Sequence, residues 1–392
     1  MKQYSVAPQQ SSWRWALAGA LTMALAACGG GNGDDSYQAP AATTSTLTAA
    51  LSGDQEPTPT VTGALGTGTL TLTMPSRALS GSISINGMTA TAAHVHLGDV
   101  GRNGAVIVSL VESTPGSGAW SVPANTVLTE AQATAFSAGG LYFNAHTTEN
   151  PGGEIRGQIG RAVYAAQLSA SQEVPTNTST ATGVGFLSLD PTTKRITARL
   201  TLTGVAATMA HIHTGAIGSN GGVIFPLTET ATGSGIWASA ADATMTDAQI
   251  AALTAGGLYF NAHSAAYTGG EIRGQIARNV GYASLNAAQE VPTNASAATG
   301  VGTLTIDPAT RAVSGGITLT GMTATAAHIH TGAPGANGPV AIGLTDAGGG
   351  IWSVPANTVM TAEQLKAFKQ GNLYFNAHSA AFPAGEIRGQ IR

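Results

Sequence analysis

The chain has 392 residues and a formal net charge of −4, with 43% hydrophobic and only 9% charged residues. This length is too great for one ordinary hydrophobic core, so we expect several domains. The low charge content excludes disorder driven by like-charge repulsion, and the lack of a Lys/Arg cluster argues against nucleic acid as a partner.

The N-terminal segment has the form of a secretory signal. Two basic residues precede an apolar stretch from Trp15 to Ala27, which is too short to span a bilayer as a helix. The sequence Leu-Ala-Ala-Cys that ends at Cys28 resembles the lipobox of bacterial lipoproteins. That resemblance implies a signal peptide at 1–27, cleavage before Cys28 and lipidation of its thiol. We therefore expect an exported lipoprotein, anchored to a membrane of the bacterial cell envelope and facing the periplasm or the cell surface.

The rest of the chain is a linker followed by three repeats. The segment 28–46 is rich in Gly, Ser and Thr, which is typical of a flexible linker. Three copies of one series of motifs follow at 47–161, 164–278 and 281–392, each about 115 residues long, near the commonest domain size. Short alternating apolar and polar runs, separated by turn residues, predict seven or eight strands in each copy. The predicted fold is all-β, with three tandem Greek-key β-sandwich domains of an Ig-like or superoxide-dismutase-like kind.

One helix interrupts the strands of each copy. A Thr-x-x-Gln segment begins at Thr129, Thr246 and Thr361, and this spacing is that of a capping box. A glycine follows within about ten residues, where such a helix commonly ends. We therefore predict one short helix in each domain.

All nine histidines fall into three equivalent sets, each a His-x-His pair followed by a single histidine. The sets are His94, His96 and His146; His211, His213 and His263; and His328, His330 and His378. In a strand, both histidines of a pair lie on the face opposite the apolar residue between them. Two imidazoles at i and i+2 can reach one metal ion, and imidazole suits Cu and Zn. Each copy is therefore a candidate for a three-histidine Cu or Zn site.

A second polar face follows each trailing histidine. In the Gly-Glu-Ile-Arg-Gly-Gln-Ile segments, the Glu and Arg lie opposite the isoleucines. If this strand pairs with the preceding one, His146 comes close to Glu154 or Arg156, and carboxylates commonly orient metal-bound imidazoles. The candidate supporting residues are Glu154, Arg156, Glu271, Arg273, Glu386 and Arg388.

These segments carry two family resemblances. Ala-His-Ile-His-Thr-Gly, Leu-Tyr-Phe-Asn-Ala-His and Gly-Glu-Ile-Arg-Gly-Gln-Ile resemble the CHRD domain, which is named after the animal signalling antagonist chordin and also occurs in secreted microbial proteins. This resemblance covers nearly all of the chain after residue 46 and implies extracellular β-sandwich modules, without implying a particular activity. The His-x-His strand is also similar to the copper-ligand strand of copper–zinc superoxide dismutases. Each copy, however, has only three histidines and no cysteine for the disulfide of that family.

The sequence leaves several functions open. The first is a non-catalytic, lipid-anchored protein whose three modules serve structural or adhesive binding of an extracellular or periplasmic ligand, because tandem repeats suit avidity. In that case the histidines form hydrogen bonds with the Glu/Arg pair and with nearby loop carbonyls. The alternative is transition-metal (Cu or Zn) binding in each module. Superoxide-dismutase-like activity is a remote possibility within this alternative. A groove for peptide or glycan, or another enzyme, is also open. The sequence contains no nucleophile elbow and no phosphate-binding loop, so we assign no catalytic residue.

Overall fold

A computed structural model describes residues 41–392 of the chain. The predicted signal peptide, Cys28 and most of the predicted linker lie outside these residues. Strands dominate the described part, and each of its three domains surrounds a hydrophobic core of its own. The predicted all-β architecture of three tandem domains, each with one short helix, is therefore confirmed. No helix between residues 41 and 392 has the length and apolar character needed to cross a bilayer.

The first domain is a single antiparallel sheet that folds over its own core. Its strands are β1 (Thr43–Ser52), β2 (Leu65–Met74), β3 (Ala78–Asn86), β4 (Ala92–Leu97), β5 (Val106–Ser109), β6 (Val111–Glu112), β7 (Ala119–Ser121), β8 (Leu141–His146) and β9 (Ile155–Gln158). They lie in the order β5-β4-β8-β9-β1-β2-β3-β7-β6. Helix α1 (Glu130–Ala138) connects β7 to β8. Because neighbours in the sheet are often distant in sequence, β4 and β8 bring the His-x-His pair beside the trailing histidine.

The second and third domains repeat this plan. The second contains β10 (Ala162–Ser169), β11 (Thr182–Leu189), β12 (Ile196–Thr203), β13 (Ala207–Thr214), β14 (Val223–Glu229), β15 (Ile236–Ala238), α2 (Asp247–Thr254), β16 (Leu258–Ser264) and β17 (Ile272–Gln275). The third contains β18 (Asn279–Asn286), β19 (Thr299–Ile306), β20 (Val313–Thr320), β21 (Ala326–Thr331), β22 (Val340–Gly343), β23 (Thr345–Gly348), β24 (Ile351–Ser353), α3 (Ala362–Lys369), β25 (Leu373–His378) and β26 (Ile387–Gln390). In the second domain β14 also pairs with β15, so its sheet closes into a barrel.

The first strand of each domain begins a few residues before the predicted repeat. Strand β1 starts at Thr43, inside the predicted linker 28–46, and its ladder with β2 extends to the pair Thr43 and Met74. Strand β10 likewise starts at Ala162 and β18 at Asn279. A Thr- and Ala-rich composition fits both a linker and a strand, so composition alone could not locate this boundary.

The helices begin where the capping boxes predict. Thr129 accepts a hydrogen bond from the backbone N–H of Gln132, and the Gln132 side chain accepts one from the N–H of Thr129. The helices that follow Thr246 and Thr361 have the same reciprocal pair. Helix α1 buries Phe136, which is 1% exposed, in the core of the first domain. Each helix thus covers part of a domain core and leads into the strand that carries the trailing histidine.

The domains also contact one another away from the short links. Gly101 of the first domain lies against the ring of Phe186 in the second, and that ring is 3% exposed. In the third domain, Lys369 of α3 places its Nζ 3.0 Å from the Oδ1 of Asp54 in the first, and both side chains are buried. The first domain therefore contacts both of the others.

Candidate metal centre

Each domain brings its three histidines together on the outer face of the sheet. In the first domain, His94 and His96 project from β4, while Val95 between them is fully buried in the core. His146 ends β8, which pairs with β4. One ring nitrogen from each of the three lies within 4.8 Å of the other two. The sets that contain His211 and His328 form equivalent clusters.

A backbone carbonyl fixes the orientation of His96. The Nδ1 of His96 lies 3.0 Å from the oxygen of Gly104. Because a carbonyl can only accept, Nδ1 must carry the hydrogen, and in neutral imidazole this leaves a free lone pair on Nε2. That Nε2 is buried and has no hydrogen-bond partner. His96 therefore presents an unsatisfied acceptor to the interior of the cluster.

His146 is oriented in the same way by a different loop. Its Nδ1 lies 3.1 Å from the oxygen of Pro151, so its Nε2 is also unprotonated in the neutral ring. This Nε2 faces Nδ1 of His94 at 3.0 Å. In the tautomer of His94 with hydrogen on Nδ1, the pair forms a hydrogen bond. In the other tautomer of His94, the cluster contains three unprotonated ring nitrogens. These are Nδ1 of His94 and Nε2 of His96 and His146.

The other two domains reproduce this arrangement contact for contact. The nitrogen pair that joins the first and third histidines is 3.3 Å apart in the second domain and 3.2 Å apart in the third. His213 and His330 each bond a glycine carbonyl through Nδ1, at 3.0 and 2.9 Å. His263 and His378 each bond a loop carbonyl, at 3.1 and 3.2 Å. Both His213 and His330 again have a buried Nε2 without a partner.

Gly104 serves the site through both of its backbone groups. Its carbonyl accepts from His96, and its N–H donates to the hydroxyl of Tyr142 at 3.0 Å. A Cβ on Gly104 would lie 1.5 Å from the carbonyl oxygen of Leu97, so only glycine fits there. The ring of Tyr142 stacks on the ring of His96, with centroids 4.8 Å apart. The turn after the His-x-His strand therefore folds back over the second histidine and holds it.

Arg156 holds that turn in place. It is 1% exposed, and its guanidinium donates to the carbonyls of Arg102 and Asp99 at 2.6 and 2.8 Å. The same guanidinium lies over the Tyr142 ring, 3.5 Å from its centroid. Arg273 and Arg388 make the equivalent contacts in the other domains. Arg156 therefore supports His96 through the loop and the tyrosine, without touching the imidazole itself.

Glu154 also acts through a loop. Its carboxylate accepts hydrogen bonds from Thr62 and Thr147, and the loop that begins at Thr147 carries the Pro151 carbonyl that orients His146. Glu271 and Glu386 accept from Ser179 and Ser296, the counterparts of Thr62, so only this one of the two bonds is repeated in the other domains. Strands β8 and β9 do pair, the condition on which the sequence placed His146 near Glu154 or Arg156, and Asn144 lies opposite Arg156. The hydrogen-bond partners of the imidazoles, however, are carbonyls and each other.

Burial favours the neutral form of eight of the nine histidines. It lowers the pKa of eight histidines below the ordinary value, and neighbouring imidazoles lower several of them further. These are His94, His96, His146, His211, His213, His263, His330 and His378. Desolvation also raises the pKa of Glu56, which accepts a hydrogen bond from Asn144 in this polar layer, to about 7. Uncharged imidazoles are the form that binds metals.

The donor set suits a borderline transition metal. It consists of imidazole nitrogens, and within residues 41–392 no carboxylate or thiolate joins any of the clusters. Ca²⁺ and Mg²⁺ require oxygen ligands, whereas imidazole suits Cu and Zn. His94 and His146 are partly exposed, so an ion can enter from solvent. Three ligands leave at least one coordination position free.

The sequence did not reveal the roles of Gly104, Tyr142 and Pro151. A Gly/Asn turn follows the His-x-His pair in every copy, and a tyrosine lies four residues before each trailing histidine. These regularities were the available signal. Their function depends on how the turn folds back over the strand, and that is a tertiary contact which spacing does not encode.

The chain was compared with known protein families and with curated proteins. The model of the CHRD domain family matches residues 47–159, 164–276 and 282–391. No curated protein matches the chain.

Proposed function

The chain belongs to the CHRD domain family, and we propose that each of its three CHRD domains binds one transition-metal ion through three imidazole nitrogens. The ligands are Nδ1 of the first histidine and Nε2 of the other two in each of the three sets. The clusters combine neutral nitrogen donors, an entrance from solvent and a supporting shell of loop carbonyls, which together are the features of a metal-binding site.

The buried Nε2 of His96 carries this proposal. In a purely structural cluster, each imidazole would satisfy both of its nitrogens, because a buried unpaired acceptor costs about 1–3 kcal/mol. His94 and His146 can satisfy each other, but Nε2 of His96 has no partner, and the same holds for His213 and His330. A metal ion would supply the missing partner in all three domains. The sequence hypothesis of a structural histidine cluster leaves these atoms unexplained.

Metal analysis of the purified protein tests the proposal. We expect about three equivalents of Cu or Zn after loading and dialysis. The variant with His94→Ala, His211→Ala and His328→Ala should retain none, while circular dichroism confirms that it is folded. A folded wild-type protein that retains no metal would contradict the proposal. If the triple variant then also unfolded at a lower temperature, the histidines would be structural.

We further propose that the modules are displayed from a membrane of the cell envelope by a lipid on Cys28, where they bind a periplasmic or extracellular ligand. The support is the lipobox-like sequence Leu-Ala-Ala-Cys after an apolar stretch. Fractionation of cells that express the Cys28→Ala variant tests the anchor. The variant should move from the membrane to the soluble fraction, and unchanged membrane association would contradict this part of the proposal.

A further inference from the structure

The three imidazoles of a cluster are not equally spaced. In the first domain, the ring centroids of His94 and His146 are 4.9 Å apart, those of His94 and His96 are 5.5 Å apart, and those of His96 and His146 are 6.1 Å apart. The second domain has 5.1, 5.5 and 6.1 Å, and the third has 5.1, 5.5 and 6.3 Å. In every domain the first histidine of the set lies between the other two.

These separations indicate the coordination geometry. A metal about 2.0–2.1 Å from each nitrogen lies about 3.2 Å from each ring centroid, so two imidazoles at the tetrahedral angle have centroids about 5.2 Å apart. Two imidazoles at a right angle would have them about 4.5 Å apart, and two on opposite sides of the metal about 6.4 Å apart. The pair His96 and His146, at 6.1 Å, is therefore spaced more widely than tetrahedral coordination gives and corresponds to an angle of about 143° at the metal.

A metal about 3.2 Å from each ring centroid would also lie close to the plane of the three centroids. In the first domain, a centre about 3.2 Å from each of the three centroids sees them at angles of about 100°, 117° and 143°, which together make a full circle. The three angles between three tetrahedral ligands add up to clearly less than a full circle. The widest angle, between His96 and His146, leaves room for a fourth ligand in the same plane, opposite His94. Within residues 41–392 the protein supplies no fourth ligand of the His, Cys, Asp or Glu type to the cluster.

We infer that the metal of these sites is copper(II), held in one plane by three imidazoles, with the fourth position of that plane taken by water or a small anion. This inference rests on the proposed metal-binding function. Tetragonal coordination by nitrogen is typical of Cu(II) and Ni(II), and Cu(II) binds more tightly in the Irving–Williams order. Structural zinc sites are almost always tetrahedral, whereas the widest pair of each cluster, at 6.1, 6.1 and 6.3 Å, exceeds the tetrahedral spacing.

Electron paramagnetic resonance tests the inference. To obtain one spectrum, the experiment uses full-length protein with His96→Ala and His330→Ala, which retains only the site of the second domain. We expect one equivalent of Cu(II), an axial spectrum with coupling to three nitrogens, and a saturable change of the spectrum on addition of azide. Wild-type protein should give the same signal at three times the intensity.

The outcomes separate this inference from the proposed function. A rhombic spectrum with the small hyperfine splitting of tetrahedral copper, or a spectrum that azide does not change, would overturn the planar copper site. Metal would still be bound in either case. A dissociation constant for Zn(II) lower than that for Cu(II) would also overturn it and leave metal binding intact. If neither ion is bound by the folded protein, the proposed function itself fails.

Discussion

His96 donates from Nδ1 to the carbonyl of Gly104 at 3.0 Å, and this bond leaves the buried Nε2 of His96 as the ring nitrogen available to the histidine cluster. The glycine can occupy this position only because it has no side chain. A turn that reads as a simple loop in the sequence is therefore part of the site.

The first prediction concerns this turn, in the second domain. A Cβ on Gly221 would lie 1.7 Å from the carbonyl oxygen of Thr214, whereas one on the neighbouring Gly222 would have no atom within 4 Å. Gly221→Ala should displace the carbonyl that orients His213, reduce bound copper from three equivalents to two, and destabilise the domain by about 2–3 kcal/mol. Gly222→Ala, the matched control, should retain three equivalents. Elemental analysis and thermal unfolding check both, and three equivalents in the Gly221 variant would contradict this role.

The second prediction concerns the buried arginine. Arg273 donates to the carbonyls of Ser219 and Ala216 from two nitrogens of its planar guanidinium. The single ammonium group of lysine cannot reproduce this geometry. Arg273→Lys should therefore weaken metal binding at the second site by about 10–100-fold, as is usual when the support of a metal ligand is lost. Competition with a chelator measures this change. Arg195→Lys, an exposed substitution in the same domain, is the control, and equal affinities in the two variants would count against the support role.

The third prediction concerns the contact between the first two domains. Phe186 is buried against Gly101, in the turn that orients His96, while the equivalent residues of the other copies are threonines, Thr69 and Thr303. Phe186→Thr should loosen this turn and speed copper release from one of the three sites by several-fold, whereas Phe186→Leu should change it little because it preserves apolar packing. Release into excess chelator measures the rates. If all three sites of the Phe186→Thr variant release copper at the same rate, the contact does not support the site.

The fourth prediction concerns pH. Burial raises the pKa of Glu56 and of Glu173 to about 7, from 4.5 in the unfolded chain. The folded state therefore holds more protons than the unfolded state between these values, so their contribution to stability is full below pH 4.5 and is lost as pH rises through about 7. We compare the metal-free wild type with the variant that carries Glu56→Gln and Glu173→Gln. As the pH rises over this range, the free energy of unfolding of the wild type should fall, relative to the variant, by about 3 kcal/mol at most for each carboxyl. Denaturant unfolding of both proteins at several pH values measures this difference. A difference in unfolding free energy that does not change with pH would contradict the raised pKa values.

Much of the fold could be predicted because local patterns encode it. Alternation placed Val95 in the core and His94 outside, and the Thr-x-x-Gln spacing located the helices. The start of β1 at Thr43 was missed, because small polar residues suit a linker and a strand equally. The support of the imidazoles by Gly104 and Pro151 depends on loop conformation, and the contact between Gly101 and Phe186 depends on how the domains pack. None of these has a periodic signature.

Counting metal ions on single protein molecules tests the central claim most directly. Native mass spectrometry of the copper-loaded chain should show three metal ions in the wild type. It should then show two, one and none as His96→Ala, His213→Ala and His330→Ala are combined stepwise. Each substitution removes the imidazole whose buried Nε2 lacks a partner. The same metal count in the wild type and the triple variant, with both folded, would contradict one site in each domain.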